Sequence, residues 1–204
     1  MANVSAPFGF RQYSGAGSAP TYEQVPVQIA YNASAIFYGD PVVATTAGQV
    51  TICVSTGATP STSTAVYGIF VGCKYLSVAQ KRIVWSNFWP GSDVASGNTV
   101  EGYVVNDPNA RFVAQTDATG FAQSAVNSTV GFVIGSGSTS TGLSTTYLDS
   151  TTLNTSSYVQ YNPFKVYGLI TAPPLSQGTL ANGQAYDYAI VGFNSAFTRD
   201  LYNY

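Results

Sequence analysis

Histidine is missing from all 204 residues. Its absence removes Ser-His-Asp and Cys-His catalysis in their usual form, and with them any zinc site built on imidazole. The two cysteines, Cys53 and Cys73, form no metal motif. Each stands in an apolar run that reads as a strand. They are either small buried core residues, the preferred reading, or a cross-strand disulfide. Charge is scarce as well. Asp, Glu, Lys and Arg make up 8% of the chain, against about 25% in an ordinary globular protein. The seven cations spread from Arg11 to Arg199 and build no phosphate-tracking patch, which argues against nucleic acid as a partner. Their one cluster, Lys74, Lys81 and Arg82, reads as a solvated loop or a local ion-pair group. No apolar run reaches the roughly 18 residues of a membrane span. The opening stretch MANVSAPFGFRQYSG has no apolar signal region. The expectation is a protein assembled in a cytoplasm, with no membrane partner.

Catalytic motifs are scarce too. There is no Gly-Lys-Ser/Thr phosphate loop and no G-x-S-x-G elbow. Gly135-Ser136-Gly137-Ser138 runs on into a Ser/Thr tract with no helix to follow, so it is no dinucleotide fingerprint. Paired carboxylates are the remaining route to an enzyme. Glu101, Asp107, Asp149 and Asp187 are the candidates. Asp107 and Asp149 lie in turn-like settings, where Asp commonly caps the backbone, and Asp187, the most suggestive of the four, sits at a strand start, where an exposed face is expected. The expectation is therefore no catalytic residue, no cofactor, no metal, and no enzyme.

What is present points to a folded, adhesive protein. Hydrophobic residues make up 45% and aromatics 14%, which excludes a disordered chain. Low charge without disorder leaves a surface of Ser, Thr, Asn, Gln, Gly and Tyr. Such a surface is cheap to desolvate, because each buried unpaired charge would cost several kcal/mol. The length suffices for one large all-β domain or two small ones, and folding at this size buries roughly 70% of the unfolded chain's surface.

Strand-like runs recur every 8–12 residues between turn signals, as in a barrel or sandwich. They cover residues 29–38, 42–44, 49–54, 66–71, 99–105, 110–116, 129–134, 159–170 and 186–193. Residues 99–105 and 110–116, joined by Asn106-Asp107-Pro108-Asn109, read as a hairpin. Residues 75–83 hold the one possible helix or lid, followed by Trp85, Phe88 and Trp89. Those three read as core or lid packing, as an interface anchor, or as a sugar-stacking platform. Val66-Tyr67-Gly68-Ile69-Phe70 is echoed by Val166-Tyr167-Gly168-Leu169-Ile170 and more weakly by Val130-Gly131-Phe132-Val133-Ile134. Glycine inside such strands marks a bulge, a bend or close backbone approach. Residues 1–28 show neither the helical nor the strand period and carry isolated aromatics. They read as an extended arm ordered by lying on a partner, or else as a disordered tail; removing residues 1–20 is expected to weaken partner binding without unfolding the rest. The all-β domain then spans 29–204, with 73–160 as a lid or insertion.

Several stretches carry a resemblance. Ala35-Ile36-Phe37-Tyr38-Gly39-Asp40-Pro41-Val42-Val43, then Gly48-Gln49-Val50, then Tyr67-Gly68-Ile69-Phe70-Val71-Gly72 resemble head decoration (cement) proteins of tailed bacteriophages. So do the block CKYLSVAQKRIVWSNFWPGSDV and the closing Ile190-Val191-Gly192-Phe193-Asn194. The resemblance implies a β-barrel or β-tulip-like protein on the outer surface of a virion capsid. It would bind the major capsid protein and copies of itself, most often as a trimer, and clamp neighbouring capsomers. The contact residues expected on this reading are Phe8, Phe10, Arg11, Tyr13, Trp85, Phe88, Trp89, Tyr202 and Tyr204. A tail, fibre or minor virion protein and a carbohydrate-binding adhesin are the alternatives.

Overall fold

A computed structural model describes residues 3–14, 24–56, 65–153, 162–170 and 184–194. Twelve strands are placed among them: β1 (Arg11–Ser14), β2 (Val25–Ile29), β3 (Pro41–Ala44), β4 (Val50–Ile52), β5 (Gly68–Leu76), β6 (Ile83–Ser86), β7 (Val100–Val105), β8 (Arg111–Gln115), β9 (Thr129–Val133), β10 (Tyr147–Asp149), β11 (Phe164–Leu169) and β12 (Tyr188–Phe193). Single 3-10 turns at Gln123–Ala125 and Ser150–Thr152 are the only helical pieces among the described residues. The fold is all-β, as the turn punctuation implied.

The strands form two six-stranded sheets. One runs β3-β4-β2-β7-β5-β6. The first residues of β5 also pair with β3, which closes five strands into a barrel. β6 hydrogen-bonds only the far half of β5 and so ends its sheet. The second sheet runs β1-β8-β12-β11-β9-β10, antiparallel throughout.

Alternation along β5 and β7 couples the two sheets. Phe70 pairs with Val104, and both face the barrel interior; Ile69 pairs with Val105, and both face the second core. A strand buried on both faces reads as a continuous apolar run rather than an alternating one, which explains Gly68-Ile69-Phe70-Val71. The second core is a phenylalanine cluster. Phe10 stacks on Phe164 with ring centroids 4.4 Å apart and meets Phe112 and Phe132 edge-on. In the barrel core Trp89 is wholly buried, meets Tyr75 edge-on at 5.2 Å, and donates its indole N–H to Ala33 O at 3.2 Å. Cys53 and Cys73 are free and buried, one in each core.

Four expectations are corrected. The N-terminal segment is extended where described, but it is not a separable arm, and the boundary at 28/29 falls inside β2. β1 pairs with β8, Gln115 holds the backbone of Val4 and Ala6, and Phe10 is a core residue at 1% exposure. The chain enters the core through a narrow passage. A Cβ on Gly9, which has φ +74°, would lie 2.6 Å from Ser144 Cβ, so only glycine fits there. Second, the 99–116 pair is not a hairpin. The strands stand as expected, but β7 pairs with β2 and β5 while β8 pairs with β1 and β12. The Asp107 turn is a corner between sheets, and Val105 and Ala110 on either side of it are both buried in the second core. Third, residues 29–38 are not one strand. Beyond Ile29 they form a loop with single bridges, Ile36 to Trp89 and Tyr38 to Leu143. Fourth, residues 75–83 form no helix or lid. They complete β5, turn, and begin β6, while residues 73–153 supply strands to both sheets. Side chains outbid helical hydrogen bonding here. Asp93 accepts from Ser77 Oγ at 2.6 Å and from Ala79 N at 2.8 Å, Ser77 Oγ accepts from Gln80 N, and Lys81 turns the chain at φ +56°.

The recurrent glycines behave as strand glycines should. Gly168 lies at a register shift in β11, and Gly68 and Gly131 stand too close to Val105 O and Thr56 Oγ1 for a side chain.

Candidate functional site: the outer face of the β5–β6 hairpin

Register decides which side chains face out. Trp85 pairs with Lys74, Lys74 with Glu101, and Glu101 with Gln28, so one row crosses β6, β5, β7 and β2. Residues two steps along share that face. Leu76 and Ile83 are cross-strand partners on it, and Tyr103 lies diagonally from Trp85. The opposite face sends Cys73, Tyr75, Val100 and Val104 into the barrel.

The outer face is unusually apolar. Trp85 is 66% exposed, Ile83 62% and Leu76 53%, and Val78 at the turn is exposed too. Scattered exposed apolar residues are ordinary, whereas a contiguous set marks a contact surface. Beside the set lies a small polar group. Lys74 Nζ sits 2.7 Å from Glu101 Oε2, and Tyr103 donates its hydroxyl to Glu101 Oε1 at 2.6 Å. Hydrogen bonding from Lys74 holds Glu101 below the usual carboxylate range, and the same bond raises Lys74. The bond to Glu101 raises the Tyr103 phenol. The pair is solvent-exposed, so its contribution is orientation rather than stability. Lys74 also stands 5.1 Å from the Trp85 ring, and Trp85 and Tyr103 lie 5.8 Å apart and nearly parallel at 8°. A cleft of about 930 Å³ borders the patch, with Gln28, Gln49, Tyr67, Lys74 and Glu101 among its walls.

The expected contact residues divide. Phe10 and Trp89 are buried and have no ring surface to give a partner, which corrects their assignment as contacts. Phe8 is half-buried against Tyr188 at 5.8 Å, Phe88 is half-buried against Phe37 at 5.5 Å, and Arg11 lies 4.7 Å from the Tyr38 ring. Trp85 and Tyr13 remain exposed, but on different sheets. Tyr202 and Tyr204 lie outside the described residues. Leu76, Ile83 and Tyr103 were missed. The helical reading of residues 75–83 concealed Leu76 and Ile83, and Ile83-Val84-Trp85 is a continuous apolar run with no alternation to mark its outer face.

The four carboxylates considered for catalysis have other partners. Asp107 accepts from Asn109 N at 2.8 Å and Asp149 from Thr151 N at 2.9 Å, as turn and cap residues do. Asp187 is buried rather than on the exposed face expected for it, and accepts from Asn3 Nδ2 and Gln184 N; burial raises it. Glu101 belongs to the ion pair already described. Asp40 is the most deeply committed acid. It accepts from Ser144 Oγ at 2.5 Å, Thr146 Oγ1 at 2.9 Å and Phe37 N at 2.8 Å. Burial still outweighs those bonds and raises it. Burial also pushes the Cys73 thiol up to about 12 and Cys53 further in the same direction, so neither is a ready nucleophile. Among the described residues no three His, Cys, Asp or Glu side chains gather in a metal-binding group.

The chain matches no family model, no curated protein and no solved structure.

Proposed function

We propose that this chain is a non-enzymatic structural protein of a virion that decorates the outer capsid surface. It binds the major capsid protein and copies of itself through the outer face of the β5–β6 hairpin. The exposed Leu76–Ile83–Trp85 set carries the reading. A hairpin braced by Asp93 presents these side chains in fixed geometry, so little conformational entropy is lost on docking. The low overall charge supports it, since few groups need costly desolvation at a shell interface. The resemblance to phage cement proteins in residues 35–50, 67–94 and 190–194 supports it as well. Weak contacts suffice for such a role, because many copies on one particle act together.

Quantitative mass spectrometry of purified virus particles tests the proposal. The expected result is hundreds of copies per particle, comparable to the major capsid protein. A few copies would move the chain to a tail, fibre or minor head position. Its absence from particles would contradict a virion role.

A further inference from the structure

We infer that the free edge of β6 pairs antiparallel with β6 of a second copy of this chain, giving a two-fold dimer. The inference deepens the self-binding of the hairpin proposed above and rests on it. Register fixes which backbone groups face the edge. Ser77 N–H donates to Arg82 O at 2.9 Å, so those two residues form a hydrogen-bonded pair. Bonded and non-bonded pairs alternate along antiparallel strands. Leu76–Ile83 is then non-bonded, Tyr75–Val84 bonded, Lys74–Trp85 non-bonded and Cys73–Ser86 bonded. The N–H and C=O groups of Ile83 and Trp85 therefore point away from β5. Among the described residues β6 pairs with β5 alone, and Ile83 and Trp85 are its exposed residues.

Open sheet edges are blunted by charge, proline, bulges or short length when they are meant to stay unpaired. β1 carries Arg11 and a register shift between Gln12 and Ser14, and β10 has three residues and ends at Asp149. β6 has neither charge nor proline, and its register runs unbroken. The strand also complements itself. With Val84 on the dyad, Ile83 of each copy lies opposite Trp85 of the other, and each such pair exchanges two backbone hydrogen bonds. These are β-branched–aromatic pairs, a favourable cross-strand combination. Arg82 then faces the second copy's Ser86. The two Arg82 positions lie roughly 14 Å apart along the strands, beyond the Debye length of about 8 Å at physiological ionic strength. Parallel pairing would set them side by side. The same dyad carries both Leu76–Ile83–Trp85 sets onto one face of a continuous sheet, so pairing widens the docking face instead of covering it.

Sedimentation equilibrium of the full-length protein gives the test. The parent should be a concentration-dependent dimer. Ile83 opens β6 and its N–H faces the edge, so proline there costs no bond to β5. Ile83→Pro should keep the parent's circular dichroism and weaken dimerisation at least about tenfold, because symmetry removes the donor twice. Val84→Cys should form a disulfide between copies on mild oxidation, since the opposed Val84 residues are a non-bonded pair with Cα atoms about 4.5 Å apart. Leu76→Ser lies off the edge and should stay dimeric, so its capsid binding reads the docking face alone. A parent that stays monomeric to about 100 µM, or forms the trimer that the resemblance implies, would overturn the inference. Undiminished dimerisation by Ile83→Pro, no cross-link from Val84→Cys, or a monomeric Leu76→Ser would each do the same.

Discussion

The N-terminal segment and the β5–β6 hairpin are both rich in aromatic and aliphatic side chains, and the fold uses them in opposite ways. In residues 3–14 Phe10 joins the phenylalanine core, Phe8 lies on Tyr188, and β1 completes one edge of the second sheet, leaving Val4 and Tyr13 exposed. The hairpin turns outward, with Leu76, Ile83 and Trp85 on the open face of a terminal strand pair. Local composition does not distinguish them. The difference lies in what the rest of the chain offers. The segment finds an edge of β8 to pair with and a place among Phe112, Phe132 and Phe164. The hairpin's inner face, Cys73 and Tyr75, packs with Trp89 in the barrel core, and among the described residues its outer face stays exposed.

That contrast is sharpest in stability. Phe10→Ala should cost about 3–5 kcal/mol in chemical denaturation, as buried Phe truncations do. Deleting residues 1–14 should unfold the second sheet or lower its midpoint at least as much, against the expectation of a removable arm. Trp85→Ala should change stability by no more than about 0.5 kcal/mol, although tryptophan is the larger side chain. Equal costs for Phe10 and Trp85 would break the comparison.

Asp40 lies between the extremes. It ties the β2–β3 loop to Ser144 and Thr146, beside the passage taken by Gly9. Asp40→Ala should cost about 1–3 kcal/mol, because two hydroxyls and the Phe37 amide lose their acceptor. Its pH dependence has a definite sign. Burial raises Asp40 and Asp187 in the folded state. Their share of stability is therefore full below the unfolded carboxylate pKa, near about 4, and is lost as pH rises through the folded values. Glu101 and Asp93 are lowered by hydrogen bonds from Lys74 and Ser77, so their share is present above that pKa and lost as pH falls. Denaturation midpoints of Asp40→Asn should fall less than those of the parent between pH 4 and pH 7. An unchanged pH slope would remove Asp40 from this account. The smallest effect belongs to Lys74→Met and Glu101→Gln. Neither should shift the midpoint measurably, and any shift should shrink in added salt.

The fold class and most strand positions were legible because turn residues punctuate apolar runs of strand length. Pairing was not. Asn106-Asp107-Pro108-Asn109 reads the same whether it closes a hairpin or turns a corner between sheets, and only the burial of Val105 and Ala110 in the second core decides. The N-terminal strand was illegible because Arg11–Ser14 has no hydrophobic alternation of its own; its place comes from β8. The site was half legible. Trp85 stood out by residue type, whereas Leu76 and Ile83 depend on a turn set by Asp93, 10 residues or more away in sequence. Trp85 and Trp89 look alike in the sequence, yet the β6 pleat puts one outside and the loop after it puts the other in the barrel.

The docking claim is tested most directly by co-sedimentation of the purified protein with undecorated capsids, comparing the parent with Leu76→Ser/Ile83→Ser. The account predicts saturable binding at hundreds of copies per shell for the parent, and at least tenfold weaker binding for a variant that keeps the parent's denaturation midpoint. Undiminished binding by the variant would show that the β5–β6 face is not what holds this protein to its partner.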